Sequence, residues 1–136
     1  MVPLPKELIE LAIWGNLDRE KNVELVLLKG HLYLDLILYT VVNDEELSFY
    51  GKTKKYITLG GKKKVAKYLF EINEIRNELA HEYKFSVSES NLTDWANNIL
   101  DDFETTYFTR RTYRTKIVHA FSTLAKEIAI FGEHVE

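Results

Sequence analysis

The chain has no cysteine, which excludes disulfides and any thiolate metal or redox site. It has only 2 prolines and 6 glycines in 136 residues, too few for a loop-rich or many-turned β fold. Neither sign of charge dominates: 18 basic and 21 acidic residues give a net charge of -3. That excludes a molecule basic enough to coat nucleic acid by bulk attraction, so any such contact needs a local patch. Long hydrophobic runs are missing too. The longest, Leu32 to Val42, is interrupted by Asp35 and falls far short of the roughly 20 residues that span a bilayer. The opening Met1-Val2-Pro3-Leu4-Pro5-Lys6 lacks a basic region followed by an apolar run. A cytoplasmic protein with no membrane partner is therefore expected. There is no phosphate loop and no Gly-x-Ser-x-Gly. His31 and Asp35 stand four apart, but no further residue nearby has ligand spacing, so neither metal nor cofactor is expected.

What is present reads as helix. Hydrophobic residues make up 46% and charged residues 29%, enough to fold, and the length suits one domain over residues 1–136 with one core. The spacing predicts an all-α bundle of about five to six helices. A short first helix starts at Pro5 and breaks at Gly15-Asn16. Asn16 then caps a helix from Leu17 to about Val42, whose second half is apolar on nearly every side and so belongs at the centre or at a subunit interface. Asn43-Asp44-Glu45-Glu46 reads as a capping box before a helix that ends at Gly60-Gly61. The next helix covers about Lys62 to Ala80. A polar connector around Phe85 and Val87 leads to a helix from Leu92 to Glu104, so the Asn91-Leu92-Thr93 sequon serves as helix-start chemistry. Thr109 caps the last helix, which stops at Gly132. His119, within Ile117-Val118-His119-Ala120-Phe121, reads as a packed, satisfied histidine.

Basic residues cluster twice. Lys52, Lys54, Lys55, Lys62, Lys63, Lys64 and Lys67 form a run without an acid from Gly51 to Phe70; Arg110, Arg111, Arg114 and Lys116 form a second group. Lys62, Lys63, Lys64, Arg110 and Arg111 are candidate RNA phosphate contacts. The competing reading is an ordinary solvated helix face that balances acids elsewhere.

One segment stands out: Ile75-Arg76-Asn77-Glu78-Leu79-Ala80-His81-Glu82-Tyr83. Arginine followed by asparagine, then histidine four residues further on and a tyrosine after one more, resembles the motif of the HEPN superfamily in its HepT-type toxin form. Gly30 to Leu38, with Asp35 among apolar residues, is similar to a second-helix pattern of related families. Glu46 to Lys55 with Leu59-Gly60 resembles the mannitol-repressor (MltR-like) branch. The likeness covers about Asn16 to Asn98, is sharp only at the Arg–His motif, and is weaker after Trp95. It implies a HEPN-like helical bundle, usually a homodimer, acting as a metal-independent endoribonuclease of toxin or defence type. Arg76 and His81 are then catalytic, and Asn77 and Tyr83 support them. The HepT likeness further implies a nucleotidyltransferase-type antitoxin that modifies Tyr83.

The residue types fit that chemistry. Metal-free RNA cleavage uses the neighbouring 2′-hydroxyl as nucleophile, so one group must take its proton and another must protonate the leaving 5′-oxygen. Histidine can do either near neutral pH, and arginine stabilises the extra charge of the pentacoordinate state. Geometry qualifies this: on one straight helix Arg76 and His81 stand about 140° apart. Either the helix ends near Ala80, or a second subunit completes the site. Asn77, four residues before His81, can orient its ring.

The alternative is structural. An arginine on an apolar stripe needs a partner, and Asp35 is the expected one. His81 would then only complement the dipole of its helix, and Tyr83 would be packed. The chain would be a non-catalytic regulatory or protein-interaction module of MltR-like kind, with its second and last helices forming a partner surface.

Overall fold

A computed structural model describes residues 6–44, 46–81 and 91–133. Among these residues there are six helices and no strand: α1 (Lys6–Asp18), α2 (Val23–Val42), α3 (Phe49–Thr58), α4 (Lys63–His81), α5 (Leu92–Asp102) and α6 (Tyr113–Gly132). The protein is an all-α bundle.

Its helix boundaries differ from the expected ones where asparagine and threonine choose between roles. α1 does not stop at Gly15-Asn16. The Asn16 amide donates to the Ala12 carbonyl within the helix (2.8 Å), and fully buried Leu17 draws the last turn onto the core. The break falls instead before Val23, where the Asn22 side chain accepts from the Glu24 and Leu25 amides (2.8 and 3.4 Å). Asn43 does not open α3. It closes α2 in the left-handed conformation (φ 53, ψ 47), which asparagine tolerates, with its N–H bonded to the Tyr39 carbonyl. Ser48 caps α3 by accepting from Gly51 N (3.1 Å). Gly60, at φ +103, makes the left-handed turn between α3 and α4. Asn91 precedes α5 without a side-chain capping bond. Thr112, not Thr109, caps α6 in a reciprocal box with Thr115. The expected connector at Phe85 and Val87 lies outside the described residues.

The centre belongs to α6. From Thr115 to Ile128 every residue except Lys116 is buried, with α1, α2 and α5 packed around it. The expected partner surface on the last helix is therefore absent, because its own neighbours cover it. Gly30 lets α2 approach closely: a Cβ there would stand 2.6 Å from the Phe121 ring. Trp95 of α5 lies against the same ring at 4.8 Å and donates its indole N–H to the Tyr68 carbonyl of α4 (2.9 Å).

Polar groups inside α6 are answered from other elements, as buried polar groups must be. His119 hydrogen-bonds Thr115 O through Nδ1 (2.7 Å) and accepts from Phe108 N at Nε2 (3.0 Å). Buried Lys126 donates to the Glu104 carbonyl and lies 3.1 Å from Glu10 Oε2, an ion pair without hydrogen-bond alignment that ties α6 to α1.

α2 is long and apolar enough to cross a membrane by length and composition, yet it packs against α1, α3, α4 and α6. Its outward side keeps Leu25, Leu28, Leu32 and Leu36 exposed at 42, 40, 53 and 53%. Steps of three, four and four residues put them in one row over about three turns.

Candidate functional site

α4 carries the motif. Its buried stripe, Val65, Leu69, Ile72 and Ile75, faces the core, and Arg76 follows that stripe near the end of the helix, where it is half-buried. Asn77 and His81 are exposed. The helix runs unbroken through His81, so Arg76 and His81 point about 140° apart within one chain. No hydrogen bond joins Asn77 to His81. Tyr83 lies outside the described residues.

Asp35 does not pair with Arg76. It accepts from Lys52 Nζ at 2.8 Å, and the Lys52 side chain is only 8% exposed. A nearly buried lysine needs a counter-charge more than a half-buried arginine does, so Lys52 of α3 takes the carboxylate. Among the described residues no carboxylate lies within ion-pair reach of Arg76.

Arg76 stands one turn along α4 from Asn73, the hydrogen-bond partner of His31 of α2, and its charge acts on that imidazole. The His31 Nε2 hydrogen-bonds Asn73 Oδ1 (3.0 Å). The ring stacks on Phe49 at 4.1 Å. Burial holds the imidazole below its ordinary pKa; the Asn73 bond opposes this, Arg76 adds to it, and Asp35 opposes it. His31 and Asp35 thus have separate partners, and no group of three His, Asp or Glu side chains among the described residues is arranged to hold a metal ion. Asn73 was not singled out from the sequence. Its position three residues before Arg76 is a weak local signal, but its bond to a residue 42 positions away leaves no periodic trace.

The basic patches are largely occupied. Lys62 pairs with Glu127 (3.1 Å), Lys64 with Asp102 (3.4 Å) and Lys55 with Asp44 (3.7 Å), while Lys63 is exposed without an ion pair. Asp102 also accepts from the Tyr68 hydroxyl, which holds its carboxyl below the usual range, while burial and this acid push the phenol well up. Arg114 is bound to Asp18 (3.0 Å) and to the Asp18 and Glu20 carbonyls. Arg110 and Arg111 are exposed, and Arg111 lies over Tyr107 at 4.5 Å. Of the candidate phosphate contacts Lys62, Lys63 and Lys64, the first and last thus also make ion pairs within the chain.

Two clefts flank α4. On the α3 side, Tyr50, Phe70, Asn73 and Glu74 line a space of about 200 Å³, which continues past Phe70 into a groove of about 440 Å³ with Ile57, Lys63 and Lys67. On the α5 side, Glu71, Glu74, Glu78 and Asp94 line about 270 Å³ of acidic surface. Glu74 lines the clefts on both sides, and Glu71 also lines the groove of Lys63 and Lys67.

Comparison of the chain with family models, with curated proteins and with solved structures finds no match.

Proposed function

We propose that the protein is a HEPN-like, metal-independent endoribonuclease of toxin or defence type. It cleaves RNA by 2′-hydroxyl attack at a site containing Arg76 and His81, in the cytoplasm and as a homodimer. The observation that carries this reading is that Arg76 has no carboxylate partner among the described residues: the acid expected to neutralise it is held by Lys52, which leaves a half-buried arginine for a phosphate. Arginine presents a planar fork of donors that matches two phosphate oxygens, and it stays charged throughout the reaction. The leucine row of α2 supports the dimer, since a contiguous apolar face of this kind gains by pairing with a second copy about a twofold axis. A second copy also answers the angular problem, because His81 of one chain can then serve Arg76 of the other. Asn77 and Tyr83 support the pair in this scheme, and a nucleotidyltransferase-type antitoxin acting on Tyr83 would restrain it.

The reaction is transesterification. The 2′-oxygen bonds to phosphorus as its proton leaves to a base; the bond to the 5′-oxygen breaks as that oxygen takes a proton. A 2′,3′-cyclic phosphate and a 5′-hydroxyl result.

A second reading has its own support. Lys52, Lys62 and Lys64 are spent on internal pairs, and an acidic cleft lies beside the motif; both suit a regulatory or protein-interaction module whose working surface is the leucine row. Purified protein incubated with mixed-sequence RNA in EDTA decides between them. The nuclease reading expects cleavage that survives EDTA and is lost in Arg76→Ala. A folded wild type that leaves every substrate intact overturns it in favour of the module.

A further inference from the structure

We propose that His31 is the general base of this site, taking the 2′-hydroxyl proton while Arg76 beside it holds the phosphate of a single-stranded RNA. This rests on the ribonuclease reading and adds to it a residue outside the Arg–His motif.

The hydrogen-bond network sets the tautomer. Asn73 Oδ1 can only accept, so with the amide turned as this network orients it, His31 Nε2 carries the proton. Nδ1 is then left with a lone pair and has no hydrogen-bond partner among the described residues. Stacking on Phe49 and the bond to Asn73 fix the ring, so a base is held in place without reorganisation at the moment of reaction. The charged groups around it come from three helices: Arg76 on α4, Asp35 on its own α2, and Lys52 on α3, which neutralises Asp35. Half-burial beside a cation keeps the imidazole neutral near pH 7, which is the form a base needs.

His119 provides the contrast within the same chain. It is fully buried with both ring nitrogens bonded, so it has no lone pair to offer and no path to a substrate. Among the described residues His31 has one nitrogen bonded and one without a partner, and Arg76, one turn from Asn73, has no counter-ion. His81 points about 140° away from Arg76, so within one chain His31 is the imidazole that keeps company with the guanidinium. Asn73 also lines the cleft containing the rings of Tyr50 and Phe70, where a flanking base can stack. As the 2′-oxygen bonds to phosphorus, its proton passes to Nδ1. His81 of a second copy supplies the proton to the departing 5′-oxygen, and solvent exchange then restores both rings.

The test is the pH profile of RNA cleavage by the full chain, from about pH 5 to 9 with EDTA, in wild type, His31→Gln and His81→Ala. His31→Gln is expected to lower kcat by about 10²-fold or more, with little change in KM, and to abolish the loss of rate on the acid side. His81→Ala is expected to lower kcat as well, by removing the donor to the 5′-oxygen. Wild-type kcat and profile in folded His31→Gln overturn the inference. So does cleavage that needs His81 while ignoring His31, which leaves the ribonuclease reading intact. A folded wild type that cleaves nothing overturns both. Nitrogen-15 NMR of wild-type imidazoles needs no variant. The inference expects a neutral His31 with Nε2 protonated, whose Nδ1 signal shifts when an oligonucleotide that keeps the 2′-hydroxyl but carries a methylene in place of the 5′-bridging oxygen, and so cannot be cleaved, is added; an Nδ1-protonated ring or an unmoved signal overturns it.

Discussion

α2 and α6 are both 20 residues long, and their roles are the reverse of what their compositions suggest. α2 is the more apolar, yet it keeps a row of four leucines in solvent. α6 carries His119, Ser122, Thr123, Lys126 and Glu127, yet it is buried nearly all round. The difference lies in neighbours. α6 is enclosed by α1 and by the segments beside α4 and α5, which bring partners to its polar groups: Glu10 and Glu104 to Lys126, Lys62 to Glu127, Thr105 to Thr123. α2 is covered on its inner side only. Hydropathy gives the free energy available on burial, but topology decides which helix is surrounded.

The comparison breaks most severely at Glu10. Glu10→Ala leaves the Lys126 ammonium buried without a counter-charge, and the expected cost is about 3–5 kcal/mol by denaturant unfolding. A joint replacement, Glu10→Leu with Lys126→Met, is expected to recover most of this. Failure of the double variant to exceed the single one would show that the pair does not act as a unit. Next is Gly30→Ala at the α2–α6 crossing. Helix propensity favours alanine by about 1 kcal/mol, but the added Cβ must displace the Phe121 ring, so a net loss of about 1–3 kcal/mol is expected. A stabilised variant would mean the two helices can separate freely.

Acid should then weaken the fold through its two inward-facing histidines. Burial lowers the pKa of His119 and of His31. The unfolded chain takes up these protons at the ordinary imidazole value, near 6.5, and the folded chain only below it. Their contribution is complete above that value and is lost as pH falls towards the folded pKa, by at most about 1.4 kcal/mol per pH unit for each ring. Replacing His119 with glutamine should flatten part of that slope in urea titrations between pH 7 and 5; an unchanged slope would remove His119 from this account. The smallest effect on stability is expected on the outer face. Leu32→Glu should change unfolding of the single chain by within about 0.5 kcal/mol, measured at a concentration too low for pairing, because the side chain is 53% exposed there, while light scattering at higher concentration shows the proposed dimer falling to monomers. An unchanged mass would count against the leucine row as a dimer face.

The fold was legible where one residue type had one use. The apolar stripe Val65–Leu69–Ile72–Ile75 marked α4, Gly60-Gly61 marked the turn before it, and the interior of α6 read correctly as helix. Boundaries failed where a residue could serve two purposes. Asn43 suits a cap at either end of a helix, and Asn16 inside α1 bonds back to its own turn. The candidate site was half legible. Arg76 and His81 could be picked out because they sit in one short motif, whereas His31, Asn73 and Lys52 meet only through folding.

The sequence alone determined the all-α character and a count of about five to six helices. Those follow from local periodicity, which each segment carries within itself. Only the tertiary structure decided that α6 is the centre, that Lys52 takes Asp35, and that Arg76 is left beside His31. Competition among several possible partners for one carboxylate or one buried position is settled by three-dimensional proximity and by the cost of leaving the most buried charge unpaired.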